Sequence, residues 1–140
     1  MADAVLVVTS GLTIITNALL NPGGAGAAVA PKFAQWGVGT TAPAAANVDL
    51  EDKTDCNEAR VNDDYAVTTT TLTDDTVSAG ALITKAGAGA AITEVGLFNA
   101  ADAGTPPDGD TMFLRATFSA INLVVGNSID FTIDTKFVPV

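Results

Sequence analysis

Hydrophobic and polar residues alternate most regularly close to the C terminus. Ile129, Phe131 and Ile133 are separated by Asp and Thr residues, so they fall on one side of a strand and the polar residues on the other. This pattern is typical of an antiparallel strand with one buried face. Residues 121–125 precede it, with a Gly-Asn turn at 126–127, and we predict that the two segments form a β-hairpin.

The rest of the chain from residue 31 onward also has the texture of short strands and turns. Runs rich in β-branched and aromatic residues are bounded by Gly, Pro, Asn and Asp, which favour turns. The predicted strands are 32–38, 58–61, 65–72, 92–98 and 112–118, with one helical turn at 50–54 and an exposed loop at 102–110. Because helices do not alternate with these strands, we predict a mostly β fold, an antiparallel β-sandwich or jelly roll.

The N-terminal segment has a different periodicity. Residues 5–8 form a short apolar, β-rich run, after which Thr9 and Ser10 offer a helix N-cap. Apolar residues then recur at helical spacing until the Asn-Pro-Gly-Gly sequence at 21–24. This spacing predicts one helix over 11–21.

A segment of almost only Gly and Ala follows this helix, from residue 23 to residue 30. Such a composition favours a flexible connection. We therefore divide the chain into an N-terminal arm with a short helix, residues 1–30, and a β-sandwich domain, residues 31–140. We expect the arm to lie apart from the main body.

Residues 4–20 are apolar enough to raise the question of a membrane span. The segment contains three Thr, one Ser and one Asn, and its length is near the lower limit for a span. Asp3 stands where a signal peptide would have positive charge. A buried strand and helix is the better interpretation, and we predict no membrane partner.

Charge patterning argues against nucleic acid as a partner. The chain has a net charge of −10 and a pI near 4.1, and its six basic residues are scattered. Phosphate binding needs clustered Lys and Arg. Charged residues make up only 16% of the chain, below the roughly 25% of ordinary soluble domains. Two interpretations stay open: a surface partly covered by partners, or a neutral surface rich in Thr.

The sequence contains no His, which removes the commonest general base and the commonest zinc ligand. The single cysteine, Cys56, excludes an intrachain disulfide, and its acidic neighbours would raise its thiol pKa. Residues 87–91 lack the glycine spacing of a nucleotide-binding loop. We predict an inert cysteine, no enzymatic activity and no cofactor.

Acidic pairs occur at 63–64 and 74–75, and more Asp residues lie in the loop 102–110. A glycosidase needs two carboxylates across a cleft and usually aromatic platforms for the sugar, but the chain has one Trp and one Tyr. Asp-rich loops also supply oxygen ligands for calcium, although no EF-hand spacing is complete. Solvated turns are the simplest interpretation. A calcium-dependent carbohydrate-binding module stays as an alternative, and a small hydrolase is the least favoured.

Several segments, taken in order, are similar to small structural proteins of tailed phages. The segments are 32–43 with W-G-x-G-T-x-x-P, the acidic stretch 48–52, 92–98 with I-T-E-x-G-L-F, 112–118 with M-x-x-R-A-T-F, and 126–133 with G-x-x-I-x-F-x-I. Together they extend from residue 32 to about residue 135. The chain resembles the capsid decoration, or cement, type of these proteins.

This resemblance implies a non-enzymatic virion component of β-sandwich fold that binds the outer capsid surface and cements adjacent major capsid subunits. Such proteins often sit as trimers at threefold positions. The implied partners are therefore the major capsid protein and the chain itself, as a homotrimer that is assembled in the bacterial cytoplasm. Similar strands occur in tail-fibre and baseplate proteins, which is the alternative position on the particle.

The candidate contact residues are apolar side chains of the arm and of the segment around the only Trp. Trp is enriched at interface hot spots, although core packing is its more common role. The possible interface residues are Trp36, Phe33, Pro43, Leu12, Ile15 and Leu19. No catalytic, cofactor-binding or metal-binding residue is assigned.

Overall fold

Two antiparallel sheets and one short helix make up the fold. The computed structural model describes residues 2–20, 29–69, 72–73, 75–102, 104–108 and 111–137. The elements are β1 Ala2–Val7, α1 Thr9–Leu20, β2 Phe33–Gly37, β3 Asp64–Thr68, β4 Thr76–Thr84, β5 Ala90–Phe98, β6 Met112–Leu123 and β7 Ser128–Lys136. Sheet A has the order β1-β6-β5-β2 and sheet B the order β3-β4-β7. The prediction of a mostly β, sandwich-like fold with one short helix is confirmed.

The core lies between the two sheets. Trp36 of β2 is only 1% exposed, and its ring meets Phe131 of β7 edge-on, with 6.5 Å between the ring centroids. Phe118 of β6 contacts the same Phe131 at 6.1 Å. Since Trp36 and Phe118 belong to sheet A and Phe131 to sheet B, this aromatic cluster joins the sheets. The more common role of Trp36, core packing, is therefore the one seen.

Strand β7 has the alternation that its sequence predicts. Ile129, Phe131 and Ile133 are half-buried, whereas the residues between them are exposed. The turn before β7 is also present, with Gly126 at φ +87°. The prediction of a β-hairpin, however, is wrong. β6 pairs with β1 and β5, whereas β7 pairs with β4 in the other sheet. The chain instead crosses from sheet A to sheet B at this turn.

Strand β4 lies at the centre of sheet B but was not among the predicted strands. Its first six residues, Thr76–Ala81, are Thr, Val, Ser, Ala, Gly and Ala, and small residues carry a weak strand signal. Two predictions in the long connection before it are wrong. Residues 50–54 form no helical turn, and 58–61 contributes only a single bridge from Val61 to Ala34.

The N-terminal segment is joined to the body of the sandwich. β1 pairs with β6 along the edge of sheet A, and Ile14 of α1 is buried in the main core. A Cβ on Gly11 would lie 2.1 Å from the Phe113 carbonyl oxygen, which shows how closely α1 approaches β6. The expected separation of this arm is thus not observed. Most of the predicted flexible connection, residues 21–28, lies outside the described residues.

The start of α1 also differs from its prediction. The helix begins at Thr9, so Thr9 and Ser10 lie in its first turn instead of preceding it. The Val8 carbonyl accepts the hydrogen bond from the Leu12 N–H. The Ser10 hydroxyl donates to the Met112 carbonyl at 2.7 Å, which ties α1 to the first residue of β6.

Candidate interaction surface

A fully buried ion pair connects the two central strands of sheet A. Glu94 of β5 is 0% exposed and Arg115 of β6 is 1% exposed, and Arg115 Nε donates to Glu94 Oε2 at 2.6 Å. The second guanidinium nitrogen, Nη2, reaches Glu51 Oε2 at 3.0 Å. A buried charge needs a partner and hydrogen bonds to offset its lost hydration, and this pair has both.

The same carboxylate organises the connection after β2. Glu94 accepts hydrogen bonds from the backbone N–H groups of Gly39 at 3.0 Å, Asp52 at 3.0 Å and Glu51 at 3.2 Å. These bonds direct the N–H groups of residues 51 and 52 to Glu94 and not to the carbonyls of a helical turn, and the predicted helical turn does not form. At Gly39 a Cβ would lie 2.6 Å from Glu94 Oε1, so the close approach requires glycine.

A second buried network lies at the start of the turn after β4. Glu58 accepts from Trp36 Nε1 at 2.8 Å, from Lys85 Nζ at 2.7 Å and from the Ala86 N–H at 2.9 Å. Burial alone would raise the pKa of Glu58, but the hydrogen bonds from Lys85, Ala86 and Trp36 outweigh it and lower the pKa to about 2. Glu58 is therefore an ionised structural group at neutral pH.

The side chains that the sequence offered for chemistry are buried or hydrogen-bonded to the backbone. Cys56 is buried, and this burial raises the pKa of its thiol to about 11 despite the nearby Lys85, which agrees with the expected inert cysteine. Asp63 accepts from the Leu82 N–H, and Asp102 accepts from the Gly104 N–H. Within the described part of the chain, no group of three or more Cys, Asp or Glu residues could hold a metal ion.

Among the described residues, burial removes basic and acidic side chains from the surface in equal number. Arg60, Lys85 and Arg115 are buried, and so are Glu58, Asp75 and Glu94. Most of the other acidic residues that the structure describes are exposed. The surface therefore keeps the strongly negative net charge of the chain, which is −10.

An apolar cleft of about 460 Å³ lies beside the helix, and we call it the helix cleft. It runs between α1, residues 29–31, β3 and the end of β7. Ile15, Val29, Tyr65 and Phe137 are among its lining residues, and the last three are exposed. The volume falls in the ~300–1,000 Å³ range of ligand sites, and its lining is nearly all apolar.

A second cleft, of about 420 Å³, lies between the β1–β6 side of sheet A and strand β7 of sheet B. We call it the strand cleft. Its lining residues include Val5, Phe118, Ile121, Phe131 and Ile133. Asp130 and Asp134 also border it. The strand cleft therefore combines an apolar floor with carboxylates at its rim.

The six residues predicted as contacts lie in different environments. Trp36 is in the core and has almost no surface left for a partner. Phe33 packs, partly buried, against the small cluster around Phe98, and Pro43 is partly buried in the connection after β2. Leu12 is 55% exposed on α1. Ile15 lines the helix cleft, and the side chain of Leu19 lies outside the described residues.

Sequence reasoning did not identify the residues that line the strand cleft. Val5 and Ile121 are exposed, and Phe118 is half-buried. Their apolar character is visible in the sequence, but it also fits buried strands. Only the packing of the sheets shows that these side chains face an open gap.

No protein-family model, curated protein or solved structure matches this chain significantly. The one described helix has 12 residues. Among the residues that the structure describes, no helix is long and apolar enough to cross a membrane.

Proposed function

We propose that this protein is a non-enzymatic structural component of a tailed-phage virion. In this proposal it binds the outer capsid surface and cements adjacent major capsid subunits, as a homotrimer. Such a role requires a rigid fold with surface to bury and many copies, because affinity then comes from area, complementarity and avidity.

The observation that carries the proposal is the meeting of the phage-like segments at one buried network. Gly39 belongs to the segment with W-G-x-G-T, Glu51 to the acidic stretch, Glu94 to I-T-E-x-G-L-F, and Arg115 to M-x-x-R-A-T-F. In the fold these four residues are linked by direct hydrogen bonds around Glu94. The resemblance thus rests on residues that depend on each other, which supports a shared architecture better than four separate short matches would.

The exposed apolar side chains give further support. Val29, Tyr65 and Phe137 are large hydrophobic residues left open to solvent at the helix cleft, and Leu12 is exposed on the helix that lines it. Contiguous apolar surface of this kind marks interaction sites in soluble proteins. A protein that covers such surface on a capsid also needs few charged residues, in agreement with the 16% in this chain.

The experiment that tests this proposal is quantitative mass spectrometry of gradient-separated heads and tails from the phage that carries the chain. We expect the chain in the head fraction, at a copy number comparable to that of the shell protein. A low copy number in the tail fraction would contradict this role and would support the tail-fibre or baseplate role instead. Absence from both fractions would refute a virion role, and glycan binding would then be tested with and without a calcium chelator.

A second measurement addresses the trimer. Sedimentation equilibrium of the purified chain should give three times the protomer mass of 14.0 kDa. A monomer at all concentrations would contradict a preformed trimer and leave assembly to the capsid surface.

A further inference from the structure

Strand β7 forms one edge of sheet B, and no second neighbour is present in the described part of the chain. Its hydrogen-bonding direction follows from the two ends of the β4–β7 ladder. At one end the Phe137 N–H donates to the Asp75 carbonyl, and at the other the Lys85 N–H donates to the Asn127 carbonyl. Both of these pairs continue the register in which β4 and β7 are paired.

In an antiparallel pair, successive residues point their backbone groups alternately toward and away from the partner. Since 127 and 137 bond toward β4, the odd-numbered residues of β7 do so as well. The N–H and C=O groups of Asp130, Thr132 and Asp134 therefore point to the open edge. This edge is nine residues long and regular, which makes it a template for another strand.

The strand cleft lies directly beside this edge. A strand added to β7 would place alternate side chains on the inner face, next to Phe131 and Ile133, where the cleft of about 420 Å³ is open. Its other side chains would lie on the outer face, opposite Asp130 and Asp134, which are exposed. Cross-strand neighbours of opposite charge stabilise such a pair.

We propose that β7 binds an extended segment of another protein by β-strand addition, and that this segment alternates apolar residues with Lys or Arg. Main-chain hydrogen bonds supply affinity in this mode, and the alternate side chains supply specificity. The inference rests on β7 and the strand cleft, and it does not depend on the proposed virion role.

A second copy of this chain fits the edge less well. Antiparallel pairing of two β7 strands centred on Thr132 would place Asp130 of each copy opposite Asp134 of the other. Like charges directly opposite each other are destabilising. The net charge of −10 also makes each copy acidic, which favours a basic partner.

The test uses the full chain and two synthetic peptides of the same length as β7. One peptide alternates Val with Lys and the other alternates Val with Glu. Calorimetric titration should show that the Lys peptide binds at least roughly ten-fold more tightly. Hydrogen exchange followed by NMR should show slower exchange of the Asp130, Thr132 and Asp134 amides when the Lys peptide is added.

Two variants of Thr132 separate backbone pairing from simple charge attraction. Thr132→Pro removes an N–H that points to the open edge, where proline is tolerated, whereas Thr132→Ala keeps that N–H. Circular dichroism verifies that both variants fold. We expect Thr132→Pro to bind the Lys peptide at least about ten-fold more weakly, and Thr132→Ala to bind as the unmodified chain does.

A charge-reversed variant, Asp130→Lys with Asp134→Lys, does not depend on the proline substitution. It should prefer the Glu peptide. Equal binding of the two peptides by the unmodified chain would overturn the proposal, as would an unchanged preference in the charge-reversed variant. Protection of the three amides by self-association without peptide would instead identify a second copy as the occupant and would also overturn it.

Discussion

Two margins of this sandwich differ, because the chain covers one of them and leaves the other open. Beside β2, the connection 38–61 folds over the sheet. Its Gly39 and Asp52 N–H groups donate to the buried Glu94, which pairs with Arg115, and its own Glu58 pairs with the buried Lys85. Beside β7, the described chain leaves an apolar gap and an open strand edge. Buried charges hold one margin in a single arrangement, whereas the other is available to a partner. Stability and interaction are therefore expected to depend on different residues.

The largest loss of stability should come from breaking the buried pair of Arg115 and Glu94 at the centre of the covered margin. Arg115→Met leaves Glu94 buried without its cation, and removing one partner of a buried pair costs about 3–5 kcal/mol. The free energy of unfolding in urea measures this loss. The matched control is Glu51→Gln, which removes the exposed partner of the same guanidinium and should cost much less stability. Similar losses in the two variants would contradict the central role of the buried pair.

Acid should weaken the second network of the covered margin. The folded-state pKa of Glu58, about 2, lies below its ordinary value of 4.5. The ionised carboxylate therefore stabilises the fold above pH 4.5, and this contribution is lost as the pH falls toward about 2. It amounts to at most ~3 kcal/mol.

Thermal unfolding between pH 7 and pH 2.5 tests this expectation. The unmodified chain should lose more stability over the acid range than Glu58→Gln, which has no carboxylate at this position to protonate. Parallel losses in the two proteins would show that other carboxylates govern the acid response.

A smaller loss of stability is expected from adding one methyl group within the connection 38–61. In Gly39→Ala the new Cβ would lie 2.6 Å from both Glu51 Cβ and Glu94 Oε1, and overpacking of this kind costs about 1–3 kcal/mol. Gly87→Ala is the control, because its Cβ would meet only Lys85 Nζ at 3.7 Å. Denaturant unfolding compares the two. A stability loss at Gly87 as large as that at Gly39 would contradict this account.

The smallest effect on stability is expected at an exposed apolar position of sheet B. Val67 of β3 is 57% exposed, so Val67→Thr should change the free energy of unfolding by no more than about 0.5 kcal/mol. Val95→Thr makes the same substitution in the core, where a buried hydroxyl costs about 1–3 kcal/mol. Urea denaturation distinguishes them, and equal losses would mean that Val67 is covered in solution.

Sequence reasoning succeeded where a segment is rich in β-branched and aromatic residues. The alternation in 129–134 indicated the half-buried face of β7, and the 92–98 run indicated β5. It failed at β4, since Ser, Ala and Gly residues are compatible with strands and loops alike. A strand of small residues becomes recognisable only when its neighbours, β3 and β7, are known.

The interaction surfaces were the least predictable part. Trp36 was a candidate contact residue because of its size, but its side chain is buried in the core between the sheets. The open gap beside β7 depends on where sheet A ends relative to sheet B. No local pattern contains that information, because it arises from packing between segments far apart in the chain.

By itself the sequence determined the class of fold, most strand positions and the helix near the N terminus. These properties depend on local alternation, helical spacing and turn residues, which act over a few residues. Only the tertiary structure decided that β6 and β7 lie in different sheets, that β1 completes sheet A, and that Arg115 and Glu94 form a buried pair. Strand partners and buried ion pairs join distant segments, because each edge and each buried charge must find its complement elsewhere in the fold.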